Sequence, residues 1–314
     1  NNIAGNLSYG QKLERVGTSG QWTMILLNGK SYYVSSAYVT SKKPASAGAV
    51  QTTSQTAAGA QTSGGTAIAL SSNYKYANYS KINSGTATLY RSTASNKKNK
   101  VVCVNAGHGT NGGGSVKTQC HPDGSAKVTG GTTGAGATSA VAVSSGMTFA
   151  DGTAESKVTL AMAKVLKTKL LNAGYDVLMI RESDDVQLDN IARTVIANNN
   201  ADCHIALHWD STSSNKGAFF MSVPSNATYR AMEPVASHWK QHNQLGESLI
   251  SGLKSAGVKI YSKGSMEMDL TQTSYSTIPS VDIELGDKAS DHSGATLETL
   301  ANGLLTGVNT FFGQ

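Results

Sequence analysis

From residue 100 to the end of the chain, short apolar runs alternate with segments whose apolar residues recur every three or four positions. The runs are typical of buried β-strands, and the periodic segments are typical of amphipathic helices. Strands are predicted at 100–106, 175–180, 201–209, 218–223, 258–261 and 281–285, and helices at 155–172, 187–198, 231–254 and 296–312. This alternation predicts an α/β fold class, with a mainly parallel sheet flanked by helices, for residues 100–314.

Residues 1–43 show a different pattern, in which apolar and polar residues alternate between tight-turn signals such as Asn28-Gly29. Such alternation predicts short antiparallel strands. Gly20-Gln21-Trp22 and the stretch 33–39 resemble the second half of a bacterial SH3 domain, which implies a small all-β barrel fragment that binds the cell wall. Three aromatic residues could line a ligand groove or pack inside that barrel: Trp22, Tyr32 and Tyr38.

The two parts are joined by a segment that lacks large apolar residues. Residues 44–67 consist mainly of Ser, Ala, Gly, Thr and Gln, which cannot bury a core and predict a flexible linker. Residues 68–99 contain several tyrosines but no clear period, and we treat them as a lead-in segment of unclear structure.

Composition narrows the range of partners. The chain carries 26 Lys and Arg against 20 Asp and Glu, and the net charge of +6 favours an anionic partner. The basic residues are scattered and form no stripe interleaved with aromatics, so nucleic acid is not expected as a partner, whereas anionic polymers of a bacterial wall fit. No apolar run approaches the roughly 20 residues of a transmembrane helix. The sequence leaves the oligomeric state open.

The start of the chain and its cysteines give two further expectations. The chain opens with Asn1 rather than Met and shows no signal peptide, so we expect a processed or truncated product. Cys103, Cys120 and Cys203 are odd in number and form no CxxC pair, which argues against a disulfide framework or a cysteine zinc knuckle. We expect Cys103 and Cys203 to be buried free thiols, with a disulfide between them as the alternative.

Four side chains able to bind a metal or move a proton fall at one predicted edge of the sheet. His108 follows the first strand, His208 lies at the end of the third and Glu284 lies near the end of the last, while Glu155 opens the first helix. Ligand sites in parallel sheets lie beyond the carboxyl ends of the strands. We therefore expect these four residues to converge.

Imidazole and carboxylate groups suit zinc, and a catalytic zinc keeps three protein ligands and one open position for water. His108, Glu155 and His208 fill that set and predict a single Zn²⁺. Such an ion lowers the pKa of its bound water to about 7 and polarises the substrate carbonyl. Glu284 is then the predicted catalytic carboxylate, which takes the proton of the water and gives it to the leaving amine.

Five stretches, in order, resemble the zinc-dependent N-acetylmuramoyl-L-alanine amidase family. They are 104–109, Glu155 ahead of its helix, 193–202, 206–208 and 279–286. The resemblance spans roughly residues 100–312 and implies His108, Glu155 and His208 as zinc ligands and Glu284 in catalysis. It also implies peptidoglycan as the substrate, cut at the amide between N-acetylmuramic acid and L-alanine, and a location outside the bacterial cell or in its wall.

The sequence departs from the family pattern around the site. Asn105-Ala106 replaces the usual Asp-Pro, and Asp210 stands where Asn commonly follows the second histidine. The long segment 110–150 is rich in Gly, Thr and Ser, and is expected to be either a flap beside the cleft or a mobile insertion. Arg193 is expected to anchor the site by pairing with a carboxylate, and Asp210 to support the site or bind substrate.

Some neighbouring residues receive other roles. His204 and His208 are four apart on a strand, about 13 Å along the chain, so His204 is expected to be buried and hydrogen-bonded rather than a metal ligand. Asp282 is assigned to structure, on the strand face opposite Glu284. Two alternatives to the amidase remain open: a zinc peptidase that cuts stem or cross-bridge peptides, and an inactive wall-binding scaffold.

Overall fold

The computed structural model describes residues 13–19, 22–27, 30–35, 39 and 64–314. The chain divides into two compact units, Asn1–Ala58 and Gly59–Gln314. Tyr38 and the predicted linker as far as residue 63 lie outside the described residues.

The first unit contains an antiparallel sheet of three strands in the order β1-β2-β3, namely β1 (Glu14–Ser19), β2 (Trp22–Leu27) and β3 (Lys30–Ser35). The predicted all-β character is confirmed. Ile25 is buried, but Trp22 is 51% exposed and Tyr33 is 61% exposed, so the described residues do not cover these two rings.

The second unit contains strands and helices in alternation. In chain order they are β4 (Thr66–Ala69), β5 (Thr86–Tyr90), β6 (Val101–Ala106), β7 (Lys117–Gln119), β8 (Ser139–Val141), α1 (Glu155–Asn172), β9 (Asp176–Met179), α2 (Asn190–Asn200), β10 (Cys203–Asp210), β11 (Ala218–Ser222), α3 (Ala227–Ala231), α4 (Val235–Ser255), β12 (Ile260–Glu267), α5 (Thr271–Tyr275), β13 (Ser280–Asp287) and α6 (Gly294–Phe312). None of the described helices is long and apolar enough to cross a membrane.

Eight of these strands form one sheet in the order β12-β11-β13-β10-β6-β9-β5-β4. The four central strands β13, β10, β6 and β9 run parallel to one another, whereas β11 is antiparallel to β13 and β5 is antiparallel to β9. The prediction of a mainly parallel sheet flanked by helices is confirmed. The helices α1, α4 and α6 share one apolar core with one face of the sheet, and α2 contributes to the core on the other face.

The N-terminal boundary predicted for the large domain is corrected. Residues 64–99, treated as linker end and lead-in, contribute β4 and β5 to the sheet, so the domain extends well before residue 100. The edge strand β4 shows only weak alternation of burial, because most of its side chains are exposed. The carboxylate of Asp189 also accepts hydrogen bonds from the backbone N–H groups of Lys81 and Ile82, which ties the segment to the start of α2.

One predicted helix is also corrected. The periodic segment 231–254 is not continuous, since α3 ends at Ala231 and α4 begins at Val235. Pro234 lies between them, and proline lacks the N–H that a continuous helix would use. The first predicted helix, 155–172, matches α1 at both ends.

The inserted segment 110–150 packs against the rest of the domain, and one buried carboxylate makes several of its contacts. Asp269, which is fully buried, accepts hydrogen bonds from His121 Nε2 at 3.0 Å, from Lys127 Nζ at 3.0 Å, and from the backbone N–H groups of Val128 and Thr129. The hydroxyl of Thr129 donates to it as well. Of the two expectations for this segment, the structure therefore favours the packed flap over the mobile insertion.

We expect Asp269→Asn to lower the free energy of unfolding by about 3 kcal/mol, because it removes one partner of a buried ion pair. Burial by itself raises the pKa of Asp269, but the hydrogen bonds from His121 and Thr129 outweigh it and hold that pKa below its usual value. The stabilisation is thus present above the pKa of an unfolded aspartate, about 4, and is lost as the pH falls through the lower folded-state value.

Urea denaturation at pH 7 and at pH 3, with limited proteolysis of the segment 110–150, tests this expectation. Asp123→Asn is the matched control, since Asp123 is an exposed acid in the same segment. Equal unfolding midpoints for the Asp269 variant and the wild type at pH 7 would contradict the assigned role.

Candidate active site

The three predicted ligands meet at the carboxyl edge of the central strands. His108 Nε2 lies 2.9 Å from Glu155 Oε1. His208 Nδ1 lies 3.0 Å from His108 Nε2 and 3.2 Å from Glu155 Oε1. Parallel pairing produces this meeting, because Leu207 on β10 lies beside Ala106, the last residue of β6.

The donor set fits a single small divalent ion. Zinc bonds of about 2.0–2.1 Å in a tetrahedron separate neighbouring donor atoms by about 3.3 Å. The three separations of 2.9, 3.0 and 3.2 Å are close to this value. Two imidazoles and one carboxylate also form a ligand set that catalytic zinc sites use, so the residues present could hold such an ion.

Two of the ligands are oriented by hydrogen bonds from outside the group. His108 Nδ1 lies 2.9 Å from the carbonyl oxygen of Ser144, which can only accept, so Nδ1 donates and Nε2 faces the other ligands. Glu155 Oε2 accepts from the backbone N–H of Met147 at 2.9 Å, and Oε1 accepts from that of Trp209 at 3.0 Å. Ser144 and Met147 belong to the inserted segment, whose sequence gives no sign of this role.

Two glycines permit the close packing of these ligands. A Cβ on Gly107 would come 2.3 Å from His208 Cε1. Gly146 has a positive φ of 82°, and a Cβ there would come 2.7 Å from His108 Cδ2 and 2.8 Å from Glu155 Oε2. Real Cβ atoms do not approach other atoms this closely, so both positions require glycine.

The backbone around His108 is held in an unusual conformation by buried arginines. His108 has a φ of 62°, in the left-handed region that non-glycine residues rarely adopt. Arg193 Nη2 donates to the carbonyl oxygen of His108 at 2.7 Å, and Arg181 Nη2 donates to that of Gly107 at 2.9 Å. Backbone strain of this kind persists only where the surroundings fix it, and these contacts do so.

The predicted partner of Arg193 is wrong. Among the described residues no carboxylate lies within ion-pairing distance of Arg193, whose guanidinium instead donates to carbonyl oxygens and to Asn105 Oδ1 at 3.1 Å. The reason lies in the sequence, because position 105 carries an amide where the family pattern has Asp. Burial, with the nearby charge of Arg181, lowers the pKa of Arg193 to about 9. No motif in the sequence marks Arg181, which simply follows a strand.

Glu155 and His208 each favour the charged form of the other. Burial alone would raise the pKa of Glu155, but its hydrogen bonds to His108 and His208 hold it well below the usual range. Burial alone would lower the pKa of His208, but Asp282 and Glu155 raise it to about 10. The neighbouring carboxylates therefore favour the charged form of the His208 ring.

We expect metal binding to release this proton, because only a neutral imidazole can bind a metal through Nδ1. Since the raised pKa of His208 is about 10, the proton competes with the metal at every lower pH. The apparent metal affinity should therefore rise by about tenfold per pH unit between pH 7 and 9. Isothermal titration with Zn²⁺ in two buffers of different ionisation enthalpy measures the protons released, and an affinity independent of pH would contradict the expectation.

Glu284 lies beside the ligand group but is not part of it. It pairs with His208 in the register of β13 and β10, and only 9% of its surface is exposed. Its Oε2 is buried without a hydrogen-bond partner among the described residues. Burial, with a contribution from Asp282, raises the pKa of Glu284 well above its usual value. A carboxylate in this state can hold a proton as well as accept one.

The assignment of Asp282 to the opposite face of its strand is wrong. Side chains two positions apart in a strand point to the same face, so Asp282 lies on the face of Glu284, whereas Val281, Ile283 and Leu285 enter the apolar core. Asp282 Oδ2 lies 3.6 Å from His208 Nε2, and both residues line the same cleft.

The other predicted residues are placed as follows. Asp210 lines the cleft and pairs with Lys216 Nζ at 2.8 Å, which stabilises the turn after β10.

His204 is fully buried and lies outside the ligand group. Neither of its ring nitrogens has a hydrogen-bond partner among the described residues, contrary to expectation. Burial, and then the charge of Arg193, lowers the pKa of His204 to about 3. Cys103 and Cys203 are buried free thiols, as predicted.

The group opens into a cleft with a cavity volume of about 520 Å³. Thr132, Ala140 and Val143 of the inserted segment line one part of it, and Met221, Met268 and Gln272 line another. The insertion is therefore a wall of the cleft rather than a remote appendage.

A mainly parallel sheet with two histidines and a glutamate at its carboxyl edge, close enough together to hold one metal ion, is an arrangement that suits a hydrolase. The model of the N-acetylmuramoyl-L-alanine amidase family, Amidase_3, matches residues 102–302, and the chain belongs to this family. It is accordingly an amidase that acts on peptidoglycan.

Solved structures agree on the fold. The N-acetylmuramyl-L-alanine amidase Ami1 from Mycobacterium smegmatis superposes with a TM-score of 0.56 at 18% identity, over 70% of this chain and 99% of that one. The apo form of Ami1 from Mycobacterium abscessus gives a TM-score of 0.51 at 20% identity, over 68% and 98%. Among curated protein sequences, none matches the chain.

Proposed function

We propose that this amidase is a single-zinc enzyme in which His108, Glu155 and His208 bind the ion and Glu284 is the catalytic carboxylate. The observation that carries the proposal is the meeting of three ligand atoms, 2.9–3.2 Å apart, at the sheet edge where Glu284 also lies. The bond cut is the amide between N-acetylmuramic acid and L-alanine.

Zinc bound there would supply a Lewis acid for the scissile carbonyl and lower the pKa of the attacking water. Glu284 takes one proton from that water as its oxygen adds to the carbonyl carbon. The C–N bond then breaks, and Glu284 returns the proton to the leaving nitrogen. The products are the lactyl carboxylate and a stem peptide with a free L-alanine amine. The raised pKa of Glu284 suits this second role, because the carboxyl group must hold the proton between the two steps.

The rest of the chain serves the same substrate in this proposal. The N-terminal unit acts as an SH3-like wall-binding module, and its covalent linkage to the catalytic unit raises the concentration of enzyme at an insoluble polymer. The net charge of +6 attracts the protein to anionic wall polymers. Salt screens this attraction and weakens it. The site of action is then the cell wall, outside the cytoplasm.

Digestion of purified peptidoglycan followed by mass spectrometry tests the proposal. We expect intact stem peptides with a free L-alanine amine, activity that is lost with a chelator and restored by Zn²⁺, and about one equivalent of zinc per chain. Cleavage within the peptides would instead identify the zinc peptidase, and the absence of any product from a zinc-free chain would identify the inactive scaffold. Full activity in the presence of the chelator would exclude the metal mechanism.

A further inference from the structure

We propose that Asp282 is a positioning residue for the metal site, which holds the ring of His208 so that Nδ1 faces the other two ligands. This inference rests on the proposed function, because it assumes that His208 binds the ion. Asp282 does so through its carboxylate, whose Oδ2 faces Nε2 of the same ring at an ion-pair distance of 3.6 Å. Nothing in the motifs that mark the family assigns a role to this residue.

The two nitrogens of His208 face different partners. Nδ1 lies 3.0 Å from His108 Nε2 and 3.2 Å from Glu155 Oε1, whereas Nε2 lies 3.6 Å from Asp282 Oδ2. An imidazole that binds a metal through Nδ1 carries its proton on Nε2 and presents it to an outer acceptor. Asp282 is the carboxylate on that side.

The surroundings leave Asp282 with no other cation. Among the described residues, His208 is the one basic side chain within 4 Å of its carboxylate. Its Oδ1 has no accessible surface and no hydrogen-bond partner in that part of the chain. A carboxylate buried without compensation is costly, so its position behind an imidazole N–H indicates a specific pairing.

Asp282 gives His208 an orienting contact, which the other two ligands already have. His108 is oriented by the carbonyl of Ser144, and Glu155 by the backbone N–H groups of Met147 and Trp209. Outer contacts of this kind fix the tautomer and orientation of metal ligands. With Asp282 on His208, each of the three ligands has an orienting partner.

The strand register separates Asp282 from Glu284. Glu284 pairs with His208 at the sheet edge, whereas Asp282 pairs with Ala206, one step further into the sheet. Asp282 therefore lies deeper along the strand than Glu284, on the wall of the same cleft. This arrangement suits positioning of a ligand rather than contact with the reacting atoms.

The test compares Asp282→Ala, Asp282→Asn and the control Asp184→Ala, in which the mutated acid is exposed. Competition with a chromophoric chelator measures zinc affinity, the visible spectrum of the Co²⁺-substituted protein reports ligand geometry, and urea denaturation measures the metal-free stability. We expect zinc affinity to fall by about 10–100-fold in Asp282→Ala, with an altered Co²⁺ spectrum. Asp282→Asn should lose less zinc affinity, because its amide oxygen can accept the same N–H. If the alanine variant does not fold, the zinc affinity and Co²⁺ spectrum of Asp282→Asn test the inference.

Four outcomes would overturn the inference. Zinc affinity equal to wild type in Asp282→Ala removes the positioning role while the proposed function stands. Loss of hydrolysis with unchanged zinc affinity and Co²⁺ spectrum means that Asp282 acts on substrate instead. Equal losses in Asp282→Asn and Asp282→Ala exclude the amide rescue that orientation through Nε2–H requires. A wild-type chain that takes up no zinc overturns the proposed function together with the inference.

Discussion

Glu284→Gln is expected to slow peptidoglycan hydrolysis by about 10²–10⁴-fold, the usual contribution of a general acid–base group, while zinc binding is retained. The amide keeps the size of the side chain but can neither take the proton of the water nor return one to the leaving nitrogen. Glu284 lies beside His208 without belonging to the compact ligand group, so its loss should leave the ligands in place.

Rates measured by release of free L-alanine amines, together with the zinc content of each protein, check this expectation. Glu247→Gln is the matched control, since Glu247 is an exposed residue of α4 and should behave as wild type. A Glu284→Gln enzyme within a few fold of wild type would remove Glu284 from the mechanism. A variant that also loses its zinc would instead make Glu284 part of the metal site.

Gly107→Ala is expected to lower zinc affinity by about 100-fold or more, because a metal ligand is displaced. The new Cβ would come 2.3 Å from His208 Cε1 and 2.5 Å from its Nε2, so the ring must leave the position in which Nδ1 meets the other two ligands. The backbone cannot move instead, since the Gly107 N–H donates to Leu207 and the Gly107 carbonyl accepts from Arg181.

Chelator competition and thermal unfolding with and without Zn²⁺ measure the effect. Gly114→Ala is the control, because a Cβ at Gly114 meets nothing within 4 Å. We expect zinc to raise the melting temperature of the wild type and of Gly114→Ala but not of Gly107→Ala. Normal zinc binding by Gly107→Ala would show that the ring of His208 has room that the structure does not give it.

The secondary structure of the catalytic domain follows closely from local sequence. Helix α1 and strand β6 match their predicted spans within a residue, because each carries a continuous apolar pattern over its length. The prediction fails where the signal is short or interrupted. Pro234 divides a periodic segment, and the small strands β4, β5, β7 and β8 are too short or too exposed to show a period.

The ligand set was also within reach of the sequence, for a topological reason. His108 and His208 follow or end strands that a parallel sheet brings side by side, and Glu155 begins the helix after the insertion. Chain order and strand direction therefore suffice to predict that they meet, without any knowledge of side-chain contacts. The zinc and the separate roles remain predictions that the experiments above test.

What the sequence by itself determined is which elements form and which three residues meet at the edge of the sheet, because apolar period and strand direction are encoded locally. Only the tertiary structure decided how those residues are held. Ser144, Met147, Arg181 and Asp282 act through contacts between segments far apart in the chain, and no pattern in one segment records the position of another. The same holds for the insertion, whose loop-like composition concealed that Asp269 fastens it as a wall of the cleft.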